Sequence, residues 1–280
     1  MPVAARAIRG ASDFAVYPRL LQFGHVALPT YGALTALALV AALAAGMHFA
    51  RRLALDANKV WTLSLTAVLT TLVGARILVV FAHFDAFTQH PFWVLGLATV
   101  RDWWIGPVSV AAGAGAGMLY ALAEGMPVLS VADALAPGGA LALAINRAGA
   151  FLAGIDFGAP SSAPWAVTYR SRIAALWYRT PLGVPLHPVQ LYTAGVALIV
   201  FALLIWYLPR REREGEIAGA ALFAFGVASS ILELWSAGLV HPAFALALSI
   251  AAVLAGGALW FDRRPTSHRY TASDEAPPVT

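Results

Sequence analysis

The sequence contains no cysteine, and only 11% of its 280 residues are charged. Disulfides, thiolate nucleophiles and cysteine-ligated metals are therefore excluded. Soluble domains carry about 25% charged residues. The shortage of charge excludes an ordinary cytosolic enzyme, a disordered regulator and a nucleic-acid-binding protein.

In place of charged residues the sequence is rich in apolar ones, and 60% of the residues are hydrophobic. Such an excess requires a non-aqueous solvent, and a membrane-spanning helix needs about 20 mainly apolar residues. We therefore predict an all-α membrane protein, a bundle of seven transmembrane helices with a small extracytoplasmic cap. The seven spans are expected at about 31–50, 60–84, 103–123, 129–154, 187–208, 217–238 and 241–261.

The chain shows no internal repeat and no Gly/Ser linker, so we expect a single transmembrane domain over 1–264. The cap is expected at about 155–186, and a disordered cytoplasmic tail at 265–280. The span at 103–123 is rich in glycine and alanine, which predicts a central position in the bundle. The first 16 residues lack a long apolar run followed by a small-residue cleavage site, so we expect no cleaved signal peptide.

The basic residues of the loops predict the orientation of the bundle. Cytoplasmic loops are enriched in arginine and lysine, and the tight basic clusters beside helix ends all fall on one side. That side, with the C-terminus, is expected to be cytoplasmic, and the N-terminus outside. Its basic residues are Arg51, Arg52, Lys59, Arg210, Arg211, Arg213, Arg263, Arg264 and Arg269.

Among the charges inside predicted spans, Arg76, Arg147 and Glu233 lie on three different helices, and each such charge costs about 2.5–3.5 kcal/mol on insertion scales. One interpretation is structural: Glu233 pairs with Arg76 or Arg147 and holds helices together. The other is a polar cavity for an anionic substrate. Arginine suits that role because its guanidinium can bind a phosphate through two parallel hydrogen bonds.

The fifth span opens with His187-Pro188-Val189-Gln190-Leu191-Tyr192. Their three-residue spacing predicts that His187 and Gln190 share a helix face while Tyr192 points elsewhere. A histidine at this position is a candidate proton carrier, because imidazole titrates near neutral pH. The alternative is a helix cap with aromatic side chains at the membrane surface.

These segments together resemble the prolipoprotein diacylglyceryl transferase family. PLGVPLHPVQLY (181–192) is similar to its histidine-proline motif, and NRAGAFLAGIDFG (146–158) to its signature around a functional arginine. PWAVTY (164–169) is similar to the run that follows that signature. GARILVVF (74–81) and YGAL (31–34) resemble motifs of the second and first helices, and all five occur in the family's order.

The resemblance implies an enzyme of the bacterial inner membrane that uses no metal and no organic cofactor. It would transfer the diacylglyceryl group of phosphatidylglycerol to an acceptor, typically the lipobox cysteine of a prolipoprotein, and release glycerol phosphate. The implied partners are phosphatidylglycerol or another anionic phospholipid, an acceptor preprotein or other nucleophile, and the bilayer, but no nucleic acid. The implied catalytic residues are His187, Arg147 and Tyr192, and the implied substrate-binding residues are Arg76, Tyr31, Gln190, Asn146, Gly154, Asp156 and Glu233.

The sequence departs from the family pattern at polar positions. Alanine stands at Ala111, where the family has a polar residue, commonly histidine, and Ser229 stands four residues before Glu233 in place of an arginine. The partners of the signature arginine fall on Ala150, Ala153 and Ile155, with Asp156 one place later. Two alternatives therefore stay open: an inactive family member that binds phospholipid or a partner protein, and an unrelated seven-helix transporter.

Overall fold

A computed structural model describes residues 12–13, 17–23, 26–89, 102, 104–237 and 242–261. The predicted tail at 265–280 lies outside these residues. The described part contains seven helices long and apolar enough to cross a membrane, which confirms the prediction of an all-α, multi-pass membrane protein. They are α1 (Thr30–Arg52), α2 (Ala57–Ala82), α4 (Ile105–Ala123), α5 (Val128–Ala153), α7 (Val189–Tyr207), α8 (Glu216–Leu232) and α9 (Pro242–Phe261).

Two short helices, α3 (Phe84–Gln89) and α6 (Arg172–Tyr178), lie in the connections between spans. Turns of 3₁₀ helix extend α7 over Leu208–Arg210 and α8 over Glu233–Trp235. Tighter turns of this kind are common at helix ends. The second turn matters for the site, because it carries Glu233 beyond the last α-helical turn of α8.

Helix α5 lies at the centre of the bundle, where it packs against α1, α7 and α8. Small residues permit the close approach to α1: a Cβ on Gly138 would lie 2.8 Å from the Ala42 carbonyl oxygen. The prediction that the glycine-rich span α4 is central is wrong. Gly113 and Gly117 of α4 do permit close packing, but they face α2, its main neighbour.

A small sheet covers one end of the bundle. Strand β4 (Val167–Thr168) pairs in parallel with β1 (Ser12–Asp13) and antiparallel with β5 (Pro185–Leu186). Phe151 at the end of α5 is buried against Val167, Tyr169 and Leu186. This apolar contact fixes the segment between α5 and α7, the predicted cap at 155–186, to the end of the bundle. A separate antiparallel pair, β2 (Arg19–Phe23) and β3 (Val26–Pro29), precedes α1.

The opposite end of the bundle contains a buried acid with complete hydrogen bonding. Asp133 of α5 is fully buried and accepts hydrogen bonds from Arg211 at 2.6 Å and from the backbone N–H groups of Gly215 and Ala218, both at 2.8 Å. A buried carboxylate is tolerated only when it is paired in this way. Asp133 therefore anchors the basic α7–α8 connection and is not part of the site described below.

Candidate functional site

Arg147 lies in the last two turns of α5 and pairs with Asp156. Its Nη1 donates a hydrogen bond of 2.8 Å to the Asp156 carboxylate, and about one third of its side chain is exposed (32%). The Nε of Arg147 is buried and has no hydrogen-bond partner among the described residues. The guanidinium therefore keeps donors available for an anion in addition to Asp156.

The pairing follows from the way α5 ends. Gly154 adopts φ 79°, and the N–H groups of Gly154 and Ile155 bond back to the carbonyls of Phe151 and Ala150 at 3.1 and 2.9 Å. This glycine-terminated turn reverses the chain. It is followed by Asp156 at φ 57°, a left-handed conformation that short polar side chains tolerate better than others. The reversal returns the Asp156 carboxylate to the arginine of the last turns.

Gln190 holds the same turn from α7. It is almost fully buried, and its Nε2 donates to the Ile155 carbonyl at 2.8 Å and to the Tyr169 hydroxyl at 3.3 Å. Burial raises the pKa of Tyr169 to about 12, so this phenol stays neutral at physiological pH. Gln190 is therefore a positioning residue, which ties the Asp156 turn to the cap and to the start of α7.

A cavity of about 260 Å³ opens beside this pair, between α5, α7 and the end of α8. We call it the polar cavity. Its lining contains one guanidinium, two carboxyl groups and three hydroxyl groups. These belong to Arg147, Asp156, Glu233, Thr193, Ser229 and Ser236.

These groups suit a small charged or hydroxylated ligand. Within the described ranges, no three His, Asp or Glu side chains are grouped as metal ligands. Arg147 is the one cation among the described lining residues, so it is the group that would bind a phosphate. Ser229, four residues before Glu233, also lines the cavity.

Next to the polar cavity, His187 lies in an aromatic cluster with Tyr192 and Trp235. The three ring centroids are 6.2–6.3 Å apart. The Nδ1 of His187 lies 3.3 Å from the Tyr192 hydroxyl, which also accepts a hydrogen bond of 2.6 Å from Trp165 Nε1. Aromatic packing and the shared hydroxyl therefore orient the imidazole.

The predicted shared face of His187 and Gln190 is wrong. Helix α7 begins at Val189, so His187 precedes the helix and the three-residue spacing rule does not apply to it. His187 contacts Tyr192, while Gln190 points into the buried side of the cap.

Gly158 is a site residue that the sequence did not single out. A Cβ on it would lie 2.5 Å from Val189 Cγ2, 2.6 Å from the His187 carbonyl oxygen and 2.7 Å from that of Trp235. Its N–H donates to the His187 carbonyl at 3.1 Å. Three segments of the chain therefore meet at Gly158. In the sequence, the only feature that could have drawn attention to it is that it is the third glycine of NRAGAFLAGIDFG.

The remaining predicted residues lie elsewhere. Asn146 donates to Thr35 Oγ1 at 2.9 Å, and Thr35 donates in turn to the Tyr31 carbonyl at 2.8 Å, which links α5 to the start of α1. Arg76 is half-buried on α2. The described residues that line the polar cavity do not include Asn146, Tyr31, Arg76 or His187.

Comparison with known proteins gives a consistent result. A family model described as prolipoprotein diacylglyceryl transferase matches residues 18–261. A phosphatidylglycerol--prolipoprotein diacylglyceryl transferase of Rhodospirillum centenum is 31% identical over 179 residues, which cover 60% of this chain and 60% of that protein. Proteins of the same name from Clostridium tetani and Synechococcus elongatus are 24% and 26% identical, over 77% and 79% of this chain and 84% and 76% of theirs. The chain thus spans three-fifths of the first relative's length.

Proposed function

The chain belongs to the prolipoprotein diacylglyceryl transferase family, and on that premise we propose that it transfers a diacylglyceryl group from phosphatidylglycerol to the lipobox thiol of a prolipoprotein. Glycerol phosphate is the second product. The observation that carries the proposal is the polar cavity, where Arg147 faces a space large enough for a headgroup. Family membership removes support for an unrelated transporter.

The proposed reaction is a displacement at a glycerol carbon of the lipid. The substrate sulfur forms a bond to that carbon, the bond from the carbon to the phosphate oxygen breaks, and glycerol phosphate leaves with the bonding electron pair. Arg147 neutralises the charge that develops on the leaving phosphate. His187 accepts the thiol proton, directly or through the Tyr192 hydroxyl or a water molecule. Arg76, on the second-helix motif, is a second candidate contact to the anionic lipid.

The test uses purified protein in detergent or nanodiscs, headgroup-labelled phosphatidylglycerol and a lipobox peptide. The expected result is release of labelled glycerol phosphate together with a peptide heavier by one diacylglyceryl group. A peptide with serine in place of the lipobox cysteine is the control. Release with neither peptide, or with both equally, contradicts thiol transfer.

The charges of the polar cavity oppose phosphate binding in part, so the proposed enzyme is to be tested against a second candidate, an inactive member of the family. Arg147 already pairs with Asp156, and Glu233 adds a second carboxyl group. An anion entering the cavity must therefore compete with Asp156 for the guanidinium.

Adding a cation at Ser229 separates these candidates. If the chain is an enzyme with weakened phosphate binding, Ser229→Arg should raise transfer at low lipid concentration at least tenfold, since a charge-assisted hydrogen bond is worth about 1.5–3 kcal/mol and each 1.4 kcal/mol is about tenfold in affinity. Initial rates measured against phosphatidylglycerol concentration give the change in KM. Ser229→Gln, which adds length without charge, is the control. Equal behaviour of both variants contradicts the electrostatic explanation.

We also propose that the protein lies in the inner membrane with its N-terminus outside and C-terminus inside. The ends of α1 and α7 and the start of α2 share one side, and Arg51, Arg52, Lys59 and the Arg210–Arg213 connection lie there. The positive-inside rule assigns that side to the cytoplasm. The polar cavity, at the opposite ends of α5 and α7, then faces the outer leaflet.

Single cysteine substitutions test this orientation without background labelling, because the sequence contains no other cysteine. Ser162→Cys in the cap and Glu214→Cys in the α7–α8 connection are both exposed positions. A membrane-impermeant maleimide applied to intact spheroplasts should label Ser162→Cys and spare Glu214→Cys, and permeabilised cells should show both. The reverse pattern would place the polar cavity on the cytoplasmic side.

A further inference from the structure

An apolar groove of about 690 Å³ runs between α7 and α8 on the membrane-facing side of the bundle. We call it the lateral groove. Its walls have no polar side chain along most of their length. They are formed by Val196, Val200 and Leu203 of α7 and by Ala220, Ala224 and Ala228 of α8.

The groove is open because α8 packs closely on α9 and much less extensively on α7. A Cβ on Gly219 would lie 2.8 Å from the Trp260 backbone nitrogen, and one on Gly226 would lie 2.8 Å from the Ser249 carbonyl oxygen. Helices approach this closely only through small residues. With α8 held on α9 and α7 packed on α5, small alanines of α8 face α7 across a gap.

The lateral groove adjoins the polar cavity. Leu232 lines both of them. On α8, Ser229 faces the cavity, and Ala228, Ala224 and Ala220 follow along the groove in successive turns. At the far end the groove is lined by Tyr207 and Trp260, and the Tyr207 hydroxyl donates to Glu216.

The dimensions decide what can occupy the groove. From Val196 to Tyr207 its length is about 17 Å at 1.5 Å per residue. The volume of about 690 Å³ then gives a mean cross-section of about 40 Å², roughly half that of a helix 10 Å across. A cross-section of this size accommodates an extended hydrocarbon tail and is smaller than that of a helix.

We propose that the lateral groove seats the acyl tail of the phospholipid donor while its phosphate lies in the polar cavity, and that Tyr207 and Trp260 limit the tail length accepted. The inference rests on the proposed function, because it takes the anionic head group to bind at Arg147. Because the tail enters from lipid and not from water, selection by length comes from packing against the groove walls and ends where Tyr207 and Trp260 close the groove.

Three alanine-to-phenylalanine variants place an obstruction at successive depths, about 6 Å apart along α8. Ala228→Phe, nearest the cavity, should lower transfer from dioctanoyl, dilauroyl and dipalmitoyl phosphatidylglycerol alike. Ala220→Phe, near the far end, should lower transfer from the dipalmitoyl lipid at least tenfold and leave the dioctanoyl lipid unchanged. Ala224→Phe should fall between them. Ala202→Phe, exposed on α7 away from the groove, is the matched control.

A second measurement separates this inference from the proposed function. Phosphatidylglycerol with a diazirine at the end of one acyl chain should photolabel the groove residues of α7 and α8 in preference to the exposed Leu198 and Ile199 of α7. Photolabelling needs no transfer. Groove labelling without transfer keeps this inference and overturns the proposed function. Transfer with uniform labelling, or with no chain-length dependence in the phenylalanine series, overturns this inference.

Discussion

Replacing Arg147 with alanine is expected to lower diacylglyceryl transfer roughly 10²–10³-fold, the loss typical of removing one donor that stabilises developing charge. Arg147 is the one cation among the described residues that line the polar cavity, where it faces two carboxyl groups. Arg147→Lys keeps the charge but loses the paired hydrogen bonds, so its transfer rate should be intermediate. Release of labelled glycerol phosphate measures both.

Thermal stability distinguishes this prediction from a purely structural ion pair. Arg147 and Asp156 are 32% and 41% exposed, and an ion pair at such a site contributes about 0–1 kcal/mol. Arg147→Ala should therefore lose transfer while its Tm stays within a few degrees of the wild type. Asp156→Asn is the matched control, because it removes the ion pair and keeps Arg147. If both variants unfold at much lower temperature and lose transfer together, Arg147 is structural.

The spans were predictable from the sequence because hydrocarbon thickness sets helix length and charges are excluded from lipid. The predicted span 129–154 agrees with α5, Val128–Ala153. The neighbours of each helix were not predictable in this way. Glycines occur in both α4 and α5, and composition does not indicate how many helices pack against each.

The residues of the site were easier to predict than their pairings. Both Arg147 and Asp156 come from one motif, but the sequence left Glu233, a phosphate and Asp156 all open as partners of Arg147. The structure pairs Arg147 with Asp156 because Gly154 reverses the chain. That reversal depends on a backbone conformation, which residue spacing does not reveal.

The second large effect is expected at Gly158. Gly158→Ala should reduce transfer at least 10²-fold, because misplacing site residues by about 1 Å can have an effect of that size. Its new methyl group would lie within 2.7 Å of the His187 and Trp235 carbonyl oxygens and 2.5 Å from Val189 Cγ2. Two of these three contacts are backbone atoms, so a side-chain rotation cannot relieve them, and the segments that carry the aromatic cluster must separate.

Gly195→Ala is the control, since Gly195 lies in the first turns of α7 and a Cβ there meets nothing within 4 Å. Alanine is favoured over glycine in a helix by about 1 kcal/mol, so this variant should keep its Tm and its transfer rate. For Gly158→Ala, overpacking should lower the free energy of unfolding by about 1–3 kcal/mol, and tryptophan fluorescence should report displacement of Trp235. A Gly158→Ala protein with wild-type fluorescence and transfer would mean that the junction tolerates a methyl group, and His187 would then owe its position to Tyr192 rather than to the close approach at Gly158.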